Sequence, residues 1–201
     1  GAAGLLHPSA LRPRHHRGLR AGCARLGALN VGITGIGTSQ HFISELLLRA
    51  AGGLRVEHVP YRGGGPLLTD LAAGMIDVGV VTFAAAVAQA RAGQLVSLAV
   101  TTATRTRDFP AVPTAAETIA PGFVQTAWQG LLAPGGMLEA VRATLHDAAA
   151  CALADPAVTD RLGPLGFEPI GADGATFARL LDETIATFAE IAHARAIVAT
   201  G

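Results

Sequence analysis

Lysine is absent from this 201-residue chain: all fifteen of its basic residues are arginine. That excludes a P-loop, whose lysine holds nucleotide phosphates, and it reads as a GC-rich coding bias before it reads as chemistry. Cysteine is scarce. Cys23 and Cys151 lie far apart, with no C-x-x-C and no paired histidine spacing, so neither a zinc motif nor a redox motif is indicated. The sequence leaves open whether they bridge, with two free thiols the expectation. Aromatic residues are only 4% of the chain. No apolar run reaches the roughly 18 residues of a membrane helix. There is no G-x-S-x-G, no acid–base pair and no metal-ligand cluster. The expectation is a protein with no catalytic residue, no resident metal and no cofactor.

What is present is half hydrophobic, rich in alanine, leucine, valine and glycine, and formally uncharged overall. A chain of this length could bury roughly 70% of its unfolded surface. The composition suits an α/β protein. Zero net charge gives no reason to expect nucleic acid as a partner.

Residues 1–28 do not match the rest. ALRPRHHRGLRAGCARLG is dense in Arg and His and has no clean period. It lacks the apolar centre of a secretory signal and the interleaved aromatics of a single-strand binder. The expectation is an atypical tail that contributes nothing to the core.

From Leu29 a regular alternation begins. Leu29 to Thr34 reads as a strand, Gly35 and Gly37 as a turn, and Thr38 or Ser39 as the cap of a helix to about Ala51. Val56 to Val59 is a strand closed by Pro60. Pro66 opens a helix to about Ala73. Met75 to Val81, almost wholly apolar, reads as a central parallel strand. Helix Ala84–Ala92, strand Leu95–Thr101 and a short helix Ala115–Ile119 follow. The remainder reads as an extended stretch Val124–Leu132, helices Leu138–Leu153 and Pro156–Leu165, a short strand Glu168–Ile170 and a long helix Ala175–Ala196.

Two strand–glycine–helix passages, LNVGITGIGTSQHF and HVPYRGGGPLLTDLAAGMIDVGV, aim helix N-termini at one place. Free backbone N–H groups there suit a small anion, most simply a carboxylate. The candidate residues are Thr34, Gly35, Gly37, Thr38, Ser39, Tyr61, Gly63, Gly64, Gly65 and Thr82. The anion is expected between the turns Gly35–Ser39 and Tyr61–Gly65. His41 either faces the ligand or packs, and Trp128 either lines a cleft or joins a core. Asp77 reads as a structural cap or pair.

The runs HVPYRGGGPLLTDLAAGMIDV, LAVTTATRTRDFPAVPTAAET, PGFVQTAWQGLLAPGG and DPAVTDRLGPLGFEPIG resemble the Bug or TctC group, from about Leu29 to the C-terminus. These are extracytoplasmic solute-binding receptors of tripartite tricarboxylate transporters. The resemblance implies a type II periplasmic binding protein-like fold: two α/β lobes, a ligand cleft between them, no cofactor and no chemistry. It implies a small carboxylate ligand, periplasmic location and the transporter's membrane components as partners. By this comparison 29–118 is one complete lobe and 119–201 the returning C-terminal part of the other. The family's opening stretch of about a hundred residues has no counterpart, so the chain reads as N-terminally truncated, with binding impaired. His7–Ser9 and Gly27–Asn30 fit the family's frame on either side of the Arg-rich tract, which suggests a frame slip or fragment boundary between them.

Two departures from the family matter. An acid and a proline usually follow the third strand, where this chain has Val81, Thr82, Phe83 and Ala84. A ligand amine would have no partner there, which favours a plain carboxylic acid over an amino acid. At Arg62 the family usually has lysine.

Two other classes fit the sequence less well. An α/β nucleotide-binding enzyme would need G-x-G-x-x-G, but Gly32 to Gly37 spells G-x-x-G-x-G, with Glu57 the only near acidic candidate. A ligand-sensing domain of the same lobe type would need a helix-turn-helix, which the N-terminal tract does not supply.

Overall fold

The computed structural model describes residues 3–8, 29–106, 109–165, 167, 169–195 and 197. Strands β1 (Ala3–Pro8), β2 (Leu29–Ile33), β3 (Val56–Pro60), β4 (Val78–Thr82) and β5 (Leu95–Val100) form one sheet in the order β3-β2-β4-β1-β5. β2 runs parallel to β3 and β4, while β1 runs antiparallel to β4 and β5.

Helices α1 (Ser39–Ala50), α2 (Gly64–Ala72) and α3 (Phe83–Arg91) connect the strands from β2 to β5. Alternation along β4 explains the layering, because successive side chains of a strand point to opposite faces. Val78 and Val80 pack with Ile43 and Leu47 of α1, and with Ala115, Ile119 and Phe123. Val81 packs on the other face with Leu67 and Leu71 of α2 and Ala86 of α3.

The register pairs Gly32 of β2 with Gly79 of β4. Both glycines let α2 settle onto the sheet. A Cβ on Gly32 would stand 2.5 Å from Ile76 Cδ1 and 3.0 Å from Leu67 Cγ. Leu67 is fully buried and has nowhere to move. Gly32→Val is therefore expected to cost about 1–3 kcal/mol by overpacking. In a thermal melt this appears as a drop of about 2–4 °C per kcal/mol; an unchanged melting temperature would contradict this packing.

The expected elements from Leu29 to Thr118 are present, with small shifts. β4 begins at Val78, because Met75 is exposed and Asp77 leaves the sheet to bond Asn30: Asn30 N–H donates to Asp77 Oδ2 at 2.9 Å. Asp77 is thus structural. α2 starts at Gly64, two residues before Pro66.

The expected tail of residues 1–28 requires correction. β1 pairs on both sides, Leu5 with Val80 and with Ala99, so Ala3–Pro8 is an interior strand. The dense arginines hid it, because a six-residue strand leaves little periodic signal beside them. Residues 9–28, including Cys23, lie outside the described residues. Cys151 is free and exposed.

Beyond α4 (Ala115–Thr118) the same core continues through Ile119, Ala120 and Phe123, past the expected boundary at 118. The stretch Val124–Leu132 forms no strand; Gln125 N–H donates to Thr101 O at 2.8 Å. α5 (Glu139–Ala154) and α6 (Pro156–Leu162) follow, the latter running into a 3-10 turn, Gly163–Leu165. Of the expected strand Glu168–Ile170, residue 168 lies outside the described residues, and 169–170 are not in a strand.

The last helix, α7 (Gly174–Arg195), returns to α1: Phe188 stacks on Phe42 with ring centroids 4.6 Å apart. At its other end Phe177 meets Trp128 edge-on at 5.1 Å, and Trp128 Nε1–H donates to Thr184 Oγ1. Trp128 is therefore a packing residue, half-buried against α7.

Candidate functional site

β2, β3 and β4 are parallel, and each ends at the start of a helix. From β2 the chain passes to β3 on one side, and α2 then carries it across to β4 on the other. β2 is thus the switch point of this part of the sheet, and open α/β sheets bind ligands outside the strand C-termini at that place. Each helix start carries backbone N–H groups without intrahelical partners and a partial positive charge.

The three helix starts are capped differently. Thr38 caps α1, its Oγ1 accepting from His41 N–H and donating to the Gly35 carbonyl at 2.8 Å. Gly63 at the start of α2 has no side chain to offer, and Thr82 makes no side-chain cap bond at α3. Two helix N-termini are thus without side-chain caps. Gly63 has φ +98° and Gly35 φ +136°, conformations that strain a residue with a side chain.

The turns approach one another. Tyr61 N–H donates to Ile33 O at 2.9 Å, and a Cβ on Gly35 would lie 3.9 Å from the Tyr61 carbonyl oxygen. A Cβ on Gly64 would touch Ala85 of α3 at 3.5 Å.

A side chain absent from the expected set ties them together. Gln40 Oε1 accepts from Thr34 Oγ1 and from Ser39 Oγ, each at 3.1 Å, and Gln40 Nε2 donates to Thr82 Oγ1 at 3.2 Å. Thr34, Ser39 and Thr82 thus converge on one amide, with Thr38 Oγ1 3.5 Å from Thr34 Oγ1. Its position one residue into the helix could have flagged Gln40, as the side chain next to the capping pair.

Other expected residues are committed elsewhere. The Tyr61 hydroxyl donates to Asp70 Oδ2 at 2.9 Å, and burial, with that bond, pushes its pKa up. Gly37 N–H donates to His41 Nδ1 at 3.2 Å. His41 is buried and edge-on to His58, 4.9 Å between centroids, so it packs beneath the turn.

His41, Glu45 and His58 come together although no sequence motif announced a cluster. His41 and Glu45 share a face of α1, four residues apart, and His58 reaches them from β3. Burial lowers the pKa of both histidines, against the opposing pull of Glu45.

Two concavities lie away from the turns. One is an apolar void of about 30 Å³ lined by α1 and strand residues. The other is an open groove of about 440 Å³ lined by Ile170, Phe177 and Leu180 among others. Neither contains the polar cluster around Gln40.

The sheet order and the converging helix N-termini define an α/β lobe of the periplasmic binding-protein kind. The tripartite tricarboxylate transporter family receptor model, TctC, matches residues 20–197, and the chain belongs to that family.

A UPF0065 protein of Agrobacterium vitis is 38% identical over 134 residues, 67% of this chain and 39% of that protein. Protein BugT of Bordetella pertussis is 32% identical over 148 residues, 73% of this chain and 45% of its own length. The chain thus spans less than half the length of these curated relatives.

Among solved structures, the R. palustris protein Rpa4515 with adipate superposes with TM-score 0.88 at 28% identity, over 99% of this chain and 67% of that one. MatC from Rhodopseudomonas palustris with bound malate gives 0.83 at 29%, over 94% and 66%. The fold is accordingly that of a periplasmic binding protein in part.

Proposed function

We propose that this chain is the ligand-holding part of a periplasmic solute receptor that captures a small carboxylic acid for a tripartite tricarboxylate transporter. The observation that carries this reading is the meeting of three helix N-termini at the C-terminal ends of β2, β3 and β4. Fixed N–H dipoles hold a carboxylate without the cost of desolvating a cationic side chain. Adipate and malate on the related proteins support the ligand class.

In this reading residues 29–118, with the core extending to Phe123, supply one wall. Residues beyond Phe123 contribute to the other lobe, and the remainder of that lobe, present in the longer relatives, would close over the ligand. The carboxylate lies between Gly35–Ser39 and Tyr61–Gly65, backed by Thr82. Gln40 holds Thr34 and Ser39 while no anion is bound; the two hydroxyls then turn from Gln40 Oε1 to the carboxylate. The reaction class is binding alone. The hydroxyls of Thr34, Ser39 and Thr82 at these turns are bonded to the Gln40 amide rather than to a general base.

Calorimetric titration with adipate and malate tests this. Thr34→Val with Ser39→Ala removes two hydroxyl donors, each worth about 1.5–3 kcal/mol to a charged acceptor. Affinity is expected to fall at least about a hundredfold, with a cooperative melt retained. Undiminished affinity would remove the site from these turns.

A further inference from the structure

We propose that His41, Glu45 and His58 form a binding site for one divalent transition-metal ion of the zinc type, joining α1 to β3. Their ligand atoms lie within 4.8 Å of one another. Two imidazoles and one carboxylate are a donor set that suits zinc, with a fourth position left for water.

The spacing between His58 and Glu45 carries the argument. His58 Nδ1 and Glu45 Oε1 are 3.4 Å apart, long for a charge-assisted hydrogen bond. Two ligands of a tetrahedral ion with bonds of about 2.0–2.1 Å stand about 3.4 Å apart. His58 already has an orienting partner, because Ser44 Oγ lies 2.9 Å from its Nε2. A proton on Nε2 donated to Ser44 leaves the Nδ1 lone pair facing Glu45, the arrangement in which metal-bound histidines are usually held. All three side chains are largely withdrawn from solvent: His41 is buried, and His58 and Glu45 are 14% and 12% exposed.

Two contacts oppose the ion and define how it binds. Arg195 Nε stands 2.9 Å from Glu45 Oε2, a competing cation on the second carboxylate oxygen. His41 Nδ1 accepts from Gly37 N–H. Binding through Nδ1 takes that lone pair. Binding through Nε2 moves the ring proton to Nδ1. Either way the Gly37 bond is given up, so the ion and that bond exclude one another.

The test titrates the full chain, freed of metal by chelation, with Zn²⁺ by calorimetry and with Co²⁺ by visible absorption. Cobalt in this site is expected to show the intense bands of tetrahedral coordination. His58→Gln and Glu45→Gln are each expected to weaken binding at least about tenfold. Arg195→Ala, which removes the competing cation, is expected to tighten it. His15→Gln with His16→Gln controls for binding by the paired histidines of the N-terminal tract and is expected to leave the tetrahedral spectrum intact. Loss of that spectrum in the His15/His16 variant would overturn the site. So would unchanged binding in His58→Gln, or weaker binding in Arg195→Ala. Carboxylate affinity plays no part in these readouts, so the metal site and the anion site fail separately.

Discussion

Deleting residues 1–8 is expected to abolish the cooperative thermal melt of this chain. β1 lies between β4 and β5, and its register runs Gly4 to Leu6 against Val81 to Gly79 on one side and Gly4 to Pro8 against Val100 to Leu95 on the other. Without it, β5 has no neighbour in the described sheet. The facing edges of β4 and β5 lose their ladder partners, and buried backbone groups without partners cost about 1–3 kcal/mol each. Several such groups together exceed the roughly 5–15 kcal/mol that holds a typical domain folded. Leu5, Val80 and Ala99 also stop sharing a register, so the β5 side of the core, with Leu95 and Leu98, loses its attachment. Circular dichroism on heating reads the outcome. A milder variant, Leu6→Pro, breaks the ladder at one position, since proline has no N–H and is not tolerated in an interior strand. Its melting temperature should fall clearly below that of the full chain. A deletion protein that melts as cooperatively as the full chain would place β1 outside the fold.

Thr82→Asp is expected to reduce carboxylate affinity at least about a hundredfold. Thr82 closes β4 and starts α3, and its hydroxyl belongs to the cluster around Gln40. A carboxylate there would sit within reach of the proposed anion. Two like charges about 4 Å apart repel by about 4 kcal/mol at an effective dielectric of 20, which is more than a hundredfold in affinity. The fold should survive, because aspartate is a strong helix N-cap and Thr82 makes no cap bond to lose. Thr82→Asn, uncharged and of similar shape to aspartate, should retain most of the affinity, and the contrast between the two isolates charge from shape. Equal affinities for adipate in the two variants would show that no anion approaches Thr82.

The alternation of short apolar runs with glycine punctuation made β2, α1, β3, α2, β4, α3 and β5 legible in the sequence. Each is a local pattern: a strand needs only its own apolar residues, and a helix start needs only Thr38 or the glycines before Pro66. The family runs were legible for the same reason, being contiguous. From these followed the expected turns and most of the candidate anion site.

Three things depended on tertiary structure. β1 takes its place through pairing with strands more than seventy residues away, and six residues beside an arginine-rich tract carry too little pattern to announce that. Gln40 joins the site because α1 begins where β4 ends, bringing an amide to Thr82, forty-two residues further on. His41, Glu45 and His58 meet because α1 packs beside β3, which no spacing in the chain expresses. The sequence by itself determined the local elements and the residues at their ends. Which of those ends face one another was decided by the order of strands in the sheet, since side chains distant along the chain acquire joint chemistry only when packing closes the loop between them.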